Sequence, residues 1–397
     1  MTNDETIRND RMTNAATRHS RGSHSDIPSS LDIRASSFLA DIIATEPELQ
    51  KLLSAVGPHD RVAIDTEADS LHCYREKLCL LQLSVQETDF VIDPLAIRDL
   101  QPLAAALKTR EIVLHGADFD LRLLRRSLGL IPKRVFDTVI AARLLGLRQF
   151  SLAALVHRYF QVELPKGSQK ANWAQRPLPN RMLAYAVNDT HYLLELAQRM
   201  EKELVALNRL EWFRQSCQRA IEQAAVERNR EPDEMWRISG SGALRGRSAA
   251  ILRELWRWRE SEAEAVDRPA FHILQNDELL RAATSFHAGD TPDFRHFSSR
   301  RRGTFRAAAE RALEMKESEW PVARRKFGVR RTTEANQRVE DLRRRRDQIA
   351  IELDLEPAFL APRAALEAIA TDENRAGTLL VEWQRELLGL KPAIGNS

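Results

Sequence analysis

Cysteine is scarce in this sequence. Only Cys73, Cys79 and Cys217 occur among 397 residues, an odd number with no pair in zinc-ligand company. That argues against a disulfide-built secreted scaffold or a structural zinc module, and a reducing cytoplasm is the expected setting. Long apolar runs are missing too. No stretch approaches the roughly 20 residues that cross a bilayer. Residues 1–30 are rich in Ser, Thr, Asn, Arg and Asp and lack the apolar centre of a signal peptide. They read as a disordered tail, which we set at residues 1–32. An excess of one charge is absent as well: 60 basic and 57 acidic residues leave a net +3.

What is present reads as soluble and globular, 43% hydrophobic and 29% charged. The length predicts two or three domains. Basic residues gather late, at Arg300–Arg302, Arg324–Lys326, Arg330–Arg331 and Arg343–Arg346. One such run is most simply a solvated helix face, whereas several together favour a nucleic-acid partner.

Short runs rich in Val, Ile, Leu and Phe predict strands at Val62–Thr66, Leu78–Val85 and Phe90–Ile92, joined by links short enough for an antiparallel meander. A helix follows over Asp99–Leu107, then a fourth strand at Ile112–His115. Leu121, Leu124 and Leu128 recur at helical spacing and stop at Gly129. A short strand near Arg134–Phe136 leads to Asp137, a candidate cap for the next helix. Further helices are predicted at Leu152–Tyr159 and Asn180–Leu204. The alternation argues an α/β domain on a mixed sheet.

Beyond about residue 205 the strand signals vanish. Two short patterns repeat there: Arg259-x-x-x-Ala263 with Pro269-Ala-Phe271, and Arg346-x-x-x-Ala350 with Pro357-Ala-Phe359. Each leads into a Leu/Ala-rich helix, at Glu278–Ala283 and Arg363–Ala370. Two related helical modules are the expectation, against chance similarity in an Ala/Arg/Glu-rich chain.

Chemistry gathers in three places. Asp65 and Glu67 in Val-Ala-Ile-Asp65-Thr-Glu67 share one face of a strand. Asp120 opens a helix after the fourth strand, where α/β sheets place ligand sites, with Asp118 available as its cap. Tyr185 and Asp189, four apart, share one helix face. Carboxylates in apolar surroundings are costly unless a cation compensates them, and converging ones more so. Each piece alone also has a plain structural reading: an edge-strand acidic pair, a capping Asp, a core Tyr. Lys166, Lys170, Trp173 and Arg176 precede the last pair and could grip phosphate and bases, or form an ordinary polar loop with one anchoring Trp. His72 and Tyr74, just after Glu67, are candidate contacts to a terminal nucleotide. For His115 a structural role is favoured.

Taken in order, Asp-x-Glu, Asp and Tyr-x-x-x-Asp resemble the DEDD superfamily of 3′→5′ exonucleases, in the tyrosine-bearing subclass. Within it the chain is most similar to the bacterial ribonuclease D family. His115-Gly-Ala-Asp-Phe-Asp120 and Lys166-Gly-Ser-Gln-Lys-Ala-Asn-Trp173-Ala-Gln-Arg176 look like that family's segments, and the helical repeat resembles its paired HRDC domains. In place of Trp256 and Trp258 of the first copy, the second carries Arg343 to Arg346.

The resemblance covers roughly residues 33–393. It implies an α/β RNase H-like, mixed-sheet exonuclease domain over 33–210. A linker helix at 211–234 and two all-α HRDC-type domains, at 235–320 and 333–393, would follow. It further implies two divalent ions, Mg²⁺ or Mn²⁺, with Asp65 bridging both. Glu67 and Asp189 would complete the site of the attacking water, Asp120 would serve the second ion, and Tyr185 would orient the nucleophile. The implied reaction is phosphodiester hydrolysis from the 3′ end of RNA, releasing nucleoside 5′-monophosphates. Implied substrates are tRNA precursors and other small structured RNAs, and a monomer is the default. A DNA exonuclease of the same fold and a non-catalytic RNA-binding protein stay open as alternatives.

Overall fold

In the computed structural model the described residues are 42–86, 88–165, 167, 170–226, 231–322 and 332–390. The tail, Lys166, and the basic runs at 324–326 and 330–331 lie outside them. The first element, β1 (Ile42–Ile43), and the helix after it, α1 (Glu46–Val56), have no counterpart in the sequence reading. A two-residue strand carries no period to detect. Thr45 and Glu48 close a reciprocal capping box at the start of α1.

The meander is as expected: β2 (Arg61–Ala68), β3 (Leu78–Val85) and β4 (Thr88–Ile92) pair antiparallel in sequence order. Then come α2 (Gln101–Lys108), β5 (Glu111–Leu114), α3 (Asp118–Leu128), β6 (Arg134–Asp137), α4 (Thr138–Leu144) and α5 (Leu152–Phe160). The sheet order is β1-β4-β3-β2-β5-β6, with β5 and β6 parallel to β2 and β1 parallel to β4. It is therefore mixed, with the chemistry-bearing β2 at its centre.

The long helix expected over 180–204 is two helices, α6 (Asn180–His191) and α7 (Leu193–Ala206). They bury their apolar faces in different places, which a single straight helix could not do. Met182, Ala186 and Val187 of α6 pack with Leu80 and Val91. Leu193, Leu196, Ala197 and Met200 of α7 join the core around Ala63, Val113 and Phe136. Two polar contacts hold the end of α6 to the meander: Ser84 Oγ to Thr190 Oγ1 at 2.8 Å and His191 Nδ1 to Asp89 Oδ2 at 2.6 Å.

The segment expected as a linker contains α8 (Leu210–Ala225), and this helix packs on the sheet domain: Phe213 and Cys217 join the core of α4 and α7, and Ile221 and Ala224 that of α3. The first helical module comprises α9 (Gly246–Ala265), α10 (Ala270–Ile273), α11 (Asn276–Ala288) and α12 (Ser299–Glu314), with its own aromatic core around Trp258, Phe297 and Phe305. The second comprises α13 (Thr333–Glu352), α14 (Pro357–Leu360), α15 (Arg363–Thr371), α16 (Ala376–Leu379) and α17 (Glu382–Leu387). It shares its core with the sheet domain: Trp383 stacks on Trp212 at 5.0 Å, and its indole N–H donates to Ser216.

The two modules repeat at the level of single hydrogen bonds. Arg259 Nη1 donates to the Leu274 carbonyl, and Arg346 Nη1 to the Ala361 carbonyl, each at 3.1 Å and each 15 residues downstream. Each arginine also pairs with the acid that follows it, Glu260 or Asp347. Arg300, Arg301, Arg302, Arg343 and Arg344 likewise have a carboxylate within 2.5–3.9 Å. Their charge is partly spent inside the modules.

Candidate active site

The three sequence segments converge on a cleft of about 740 Å³ lined by Asp65, Glu67, Asp120, Tyr185 and Asp189. β2 presents Asp65 and Glu67 on the face that α6 crosses, and α6 presents Tyr185 and Asp189 back at them one turn apart. Oxygens of Asp65, Glu67 and Asp189 all lie within 4.8 Å of one another. Ligands of one ion at Mg²⁺–O or Ca²⁺–O distances of about 2.0–2.6 Å must be this close. The donor set, all carboxylate oxygen, thus fits a hard divalent cation. Asp120 lies in the same cleft, outside that set of three, where Thr66 Oγ1 donates to its Oδ1 at 2.5 Å.

The turn that delivers Asp120 is built by Asp137. Its carboxylate accepts from the backbone N–H of Gly116 (3.0 Å), Ala117 (2.9 Å) and Val139 (2.8 Å), so one side chain caps α4 and ties down the start of α3. Asp118, expected as the cap of α3, instead pairs with Arg122 at 2.5 Å, and Ala117 holds the cap position. His115 Nδ1 lies 2.8 Å from Thr138 Oγ1, and burial holds the imidazole below its ordinary range.

The electrostatics of the cleft are those of a site awaiting positive charge. Burial, then Asp120, Asp189 and Glu67, push the Asp65 carboxyl well above the usual range. Burial and then Asp189 and Asp120 push Glu67 up to about 9. Asp120 is raised to about 6 by burial, against the pull of the Thr66 bond. Asp189 is raised to about 7 by burial, with a hydrogen bond from Tyr185 acting the other way. A divalent cation would reverse the sign of each of these repulsions.

The expected substrate contacts fare differently. Trp173 is 1% exposed and lies behind Tyr185, ring centroids 6.1 Å apart. A ring so buried is no platform for a base. Arg176 is spent on Asp93, through Nε at 2.6 Å and Nη2 at 2.7 Å, and on the carbonyls of Cys79 and Trp173. Tyr74 packs on the first helical module, where its amide donates to Asp267 and its hydroxyl bonds Glu260. His72 Nε2 sits 3.1 Å from the Lys170 carbonyl. Lys170 is exposed, and neither it nor His72 or Tyr74 lines the cleft. Lys166 lies outside the described residues.

Several cleft residues went unread, Phe119 and Gly167 among them. Phe119 is 41% exposed at the wall; its place beside Asp120 was the available signal. Gly167 lies against the Tyr185 ring, and its lack of a side chain, not any chemistry, is what admits it.

Comparisons with known proteins bear on the domains that carry this site. Residues 40–205 match the model of a 3′-5′ exonuclease domain and residues 248–286 that of an HRDC domain. The chain is 30% identical over 247 residues to ribonuclease D of Desulfotalea psychrophila, covering 61% of this chain and 66% of that one. It is 28% identical over 344 residues to ribonuclease D of Pseudomonas paraeruginosa, covering 83% and 90%. It thus spans just under two thirds of the former relative's length. The structure of Escherichia coli RNase D, described as an exoribonuclease involved in structured RNA processing, superposes with a TM-score of 0.67 over 88% of this chain and 96% of its own length. At 24% identity that likeness concerns the fold. The chain thus carries a 3′-5′ exonuclease domain followed by an HRDC domain, and over them it is similar to ribonuclease D.

Proposed function

We propose that this chain is a divalent-metal-dependent 3′→5′ exoribonuclease that releases nucleoside 5′-monophosphates. Its substrates on this reading are tRNA precursors and other small structured RNAs. The observation that carries the reading is the set of Asp65, Glu67 and Asp189 oxygens, mutually within 4.8 Å in a cleft walled by an exposed phenylalanine. A single-stranded 3′ end needs both a charge-neutralising centre and an apolar ring to stack on, and Phe119 supplies the second.

When bound, a pair of Mg²⁺ or Mn²⁺ ions would activate the attacking water and stabilise the leaving oxygen. Asp65, which feels the charge of all three other carboxylates, would help to hold the ions. Glu67 and Asp189 would hold the ion on the water side and Asp120 the other. Tyr185, bonded to Asp189, would orient the water. With an ordinary pKa near 10, a phenol is better suited to orienting a proton than to accepting one at neutral pH. The second helical module would act as a second HRDC-type domain, and both would add contacts to structured RNA. Three free cysteines support a cytoplasmic setting, and a monomer is the simplest assembly.

RNA carrying a 5′ label should shorten as a ladder from its 3′ side with Mn²⁺ and stay intact in excess EDTA. Asp65→Asn should lower the rate on the order of 10³-fold while RNA binding and melting behaviour are kept. Full activity of that variant, or activity in EDTA, would falsify the metal mechanism. Preference for a matched DNA oligonucleotide would move the assignment to a DNA exonuclease.

A further inference from the structure

β3 is an aliphatic strand with one amide at its centre. Gln82 is 0% exposed between Leu81 and Leu83, and neither its Nε2 nor its Oε1 has a hydrogen-bond partner among the described residues. A buried amide without partners carries the desolvation penalty of each unmade bond. An apolar residue would fill the place without that cost, so the amide needs a reason.

The strand register supplies one. Gln82 stands directly opposite Asp65 in the antiparallel pair of β2 and β3. Opposed residues share a face, with β-carbons about 4.5–5.5 Å apart, within reach of a glutamine side chain. The face is the one under α6. Leu80 packs there with Ala186 and Val187, and Ser84 bonds Thr190, so Gln82 lies level with the turn of α6 that carries Asp189.

We infer that Gln82 is a positioning residue for the metal centre: with the cation bound, its amide N–H, unpartnered in the metal-free chain, donates to the Asp65 carboxylate and holds it in the orientation that ligates the cation. The inference rests on the metal-dependent reading above. Asp120 already has such a donor in Thr66 and Asp189 in Tyr185; Gln82 completes the pattern for Asp65. Its chemistry suits the task. A carboxylate offers about four lone-pair sites, so a ligating one keeps acceptor capacity for a donor behind it. A neutral amide fills that capacity without adding to the repulsion among four acids. A lysine or arginine there would instead neutralise Asp65 and compete with the cation.

The test uses the full chain and Gln82→Met, which keeps the volume and removes both amide atoms. Mn²⁺ binding measured by calorimetry should weaken about 10- to 100-fold, the usual effect of losing an outer partner of a metal ligand. The metal-free variant should melt at or above the wild type. Activity lost at limiting Mn²⁺ should return as Mn²⁺ is raised, which a merely structural lesion would not do. Gln82→Asn covers the case in which the methionine variant does not fold, because a shorter amide also withdraws the donor. Wild-type Mn²⁺ affinity in either folded variant overturns the proposal. A wild type that binds no Mn²⁺ overturns the metal reading beneath it, and so the two failures are told apart.

Discussion

The ring of Tyr185 lies against the backbone of Gly167 so closely that a β-carbon there would fall 1.5 Å from Cε2. With Trp173 6.1 Å away, the phenol is enclosed by neighbours that leave it little choice of direction. Gly167→Ala must therefore move the ring or the segment that crosses it. We expect kcat to fall about 10²-fold, the scale of a 1 Å misplacement. Mn²⁺ affinity should fall less than kcat, because Asp65 and Glu67 are untouched and only the Tyr185 bond to Asp189 is displaced. Single-turnover kinetics beside calorimetry separates the two.

Tyr185→Phe keeps the packing and removes the hydroxyl that bonds Asp189. The expected outcome is a kcat lowered about 10²-fold with KM little changed, and a stability loss of no more than about 1.5 kcal/mol for one hydrogen bond. A rise in KM alone would argue that the hydroxyl binds substrate and does not orient the water.

The metal-free protein should lose stability as pH rises. Asp120, Asp189 and Glu67 hold protons in the folded chain up to about 6, 7 and 9, whereas the unfolded chain releases them near about 4. Between those values the folded state binds more protons. The stabilisation is thus complete below the unfolded range and is lost as pH passes each folded value. Melting temperature in EDTA should decline from pH 5 to pH 9, and saturating Mn²⁺ should flatten or reverse the decline. Parallel curves with and without Mn²⁺ would contradict the electrostatic account.

Arg176→Ala should act on stability more than on catalysis. The guanidinium holds Asp93, whose side chain is 7% exposed, and the carbonyls of Cys79, Trp173 and Gln175. Leaving that carboxylate buried and unpaired costs about 3 kcal/mol, to be read by denaturant melts. A large rise in KM for RNA with unchanged stability would restore Arg176 as a substrate contact.

The catalytic motifs were legible because backbone periodicity acts locally. Asp65 and Glu67 show their shared face through period 2, and Tyr185 and Asp189 through one helical turn. The helical repeat was legible through Arg259 and Arg346, since both reach a carbonyl 15 residues on and their spacing to it is kept. The roles of Trp173, Arg176 and Tyr74 were not. A tryptophan or arginine ahead of a site helix has the same sequence signature whether it faces substrate or closes the core. Here Asp93 and Asp267, distant in sequence, decided the matter for Arg176 and Tyr74.

The sequence by itself determined the residue types of the site, the order of strands and helices that carries them, and the doubling of the helical module. All three follow from local spacing along the chain. Tertiary structure alone decided that carboxylates from β2 and α6 meet within 4.8 Å and that the expected 180–204 helix breaks to serve two cores. It also set Gln82 opposite Asp65. The reason is physical: repulsion, burial and register exist only between segments that the fold has brought together.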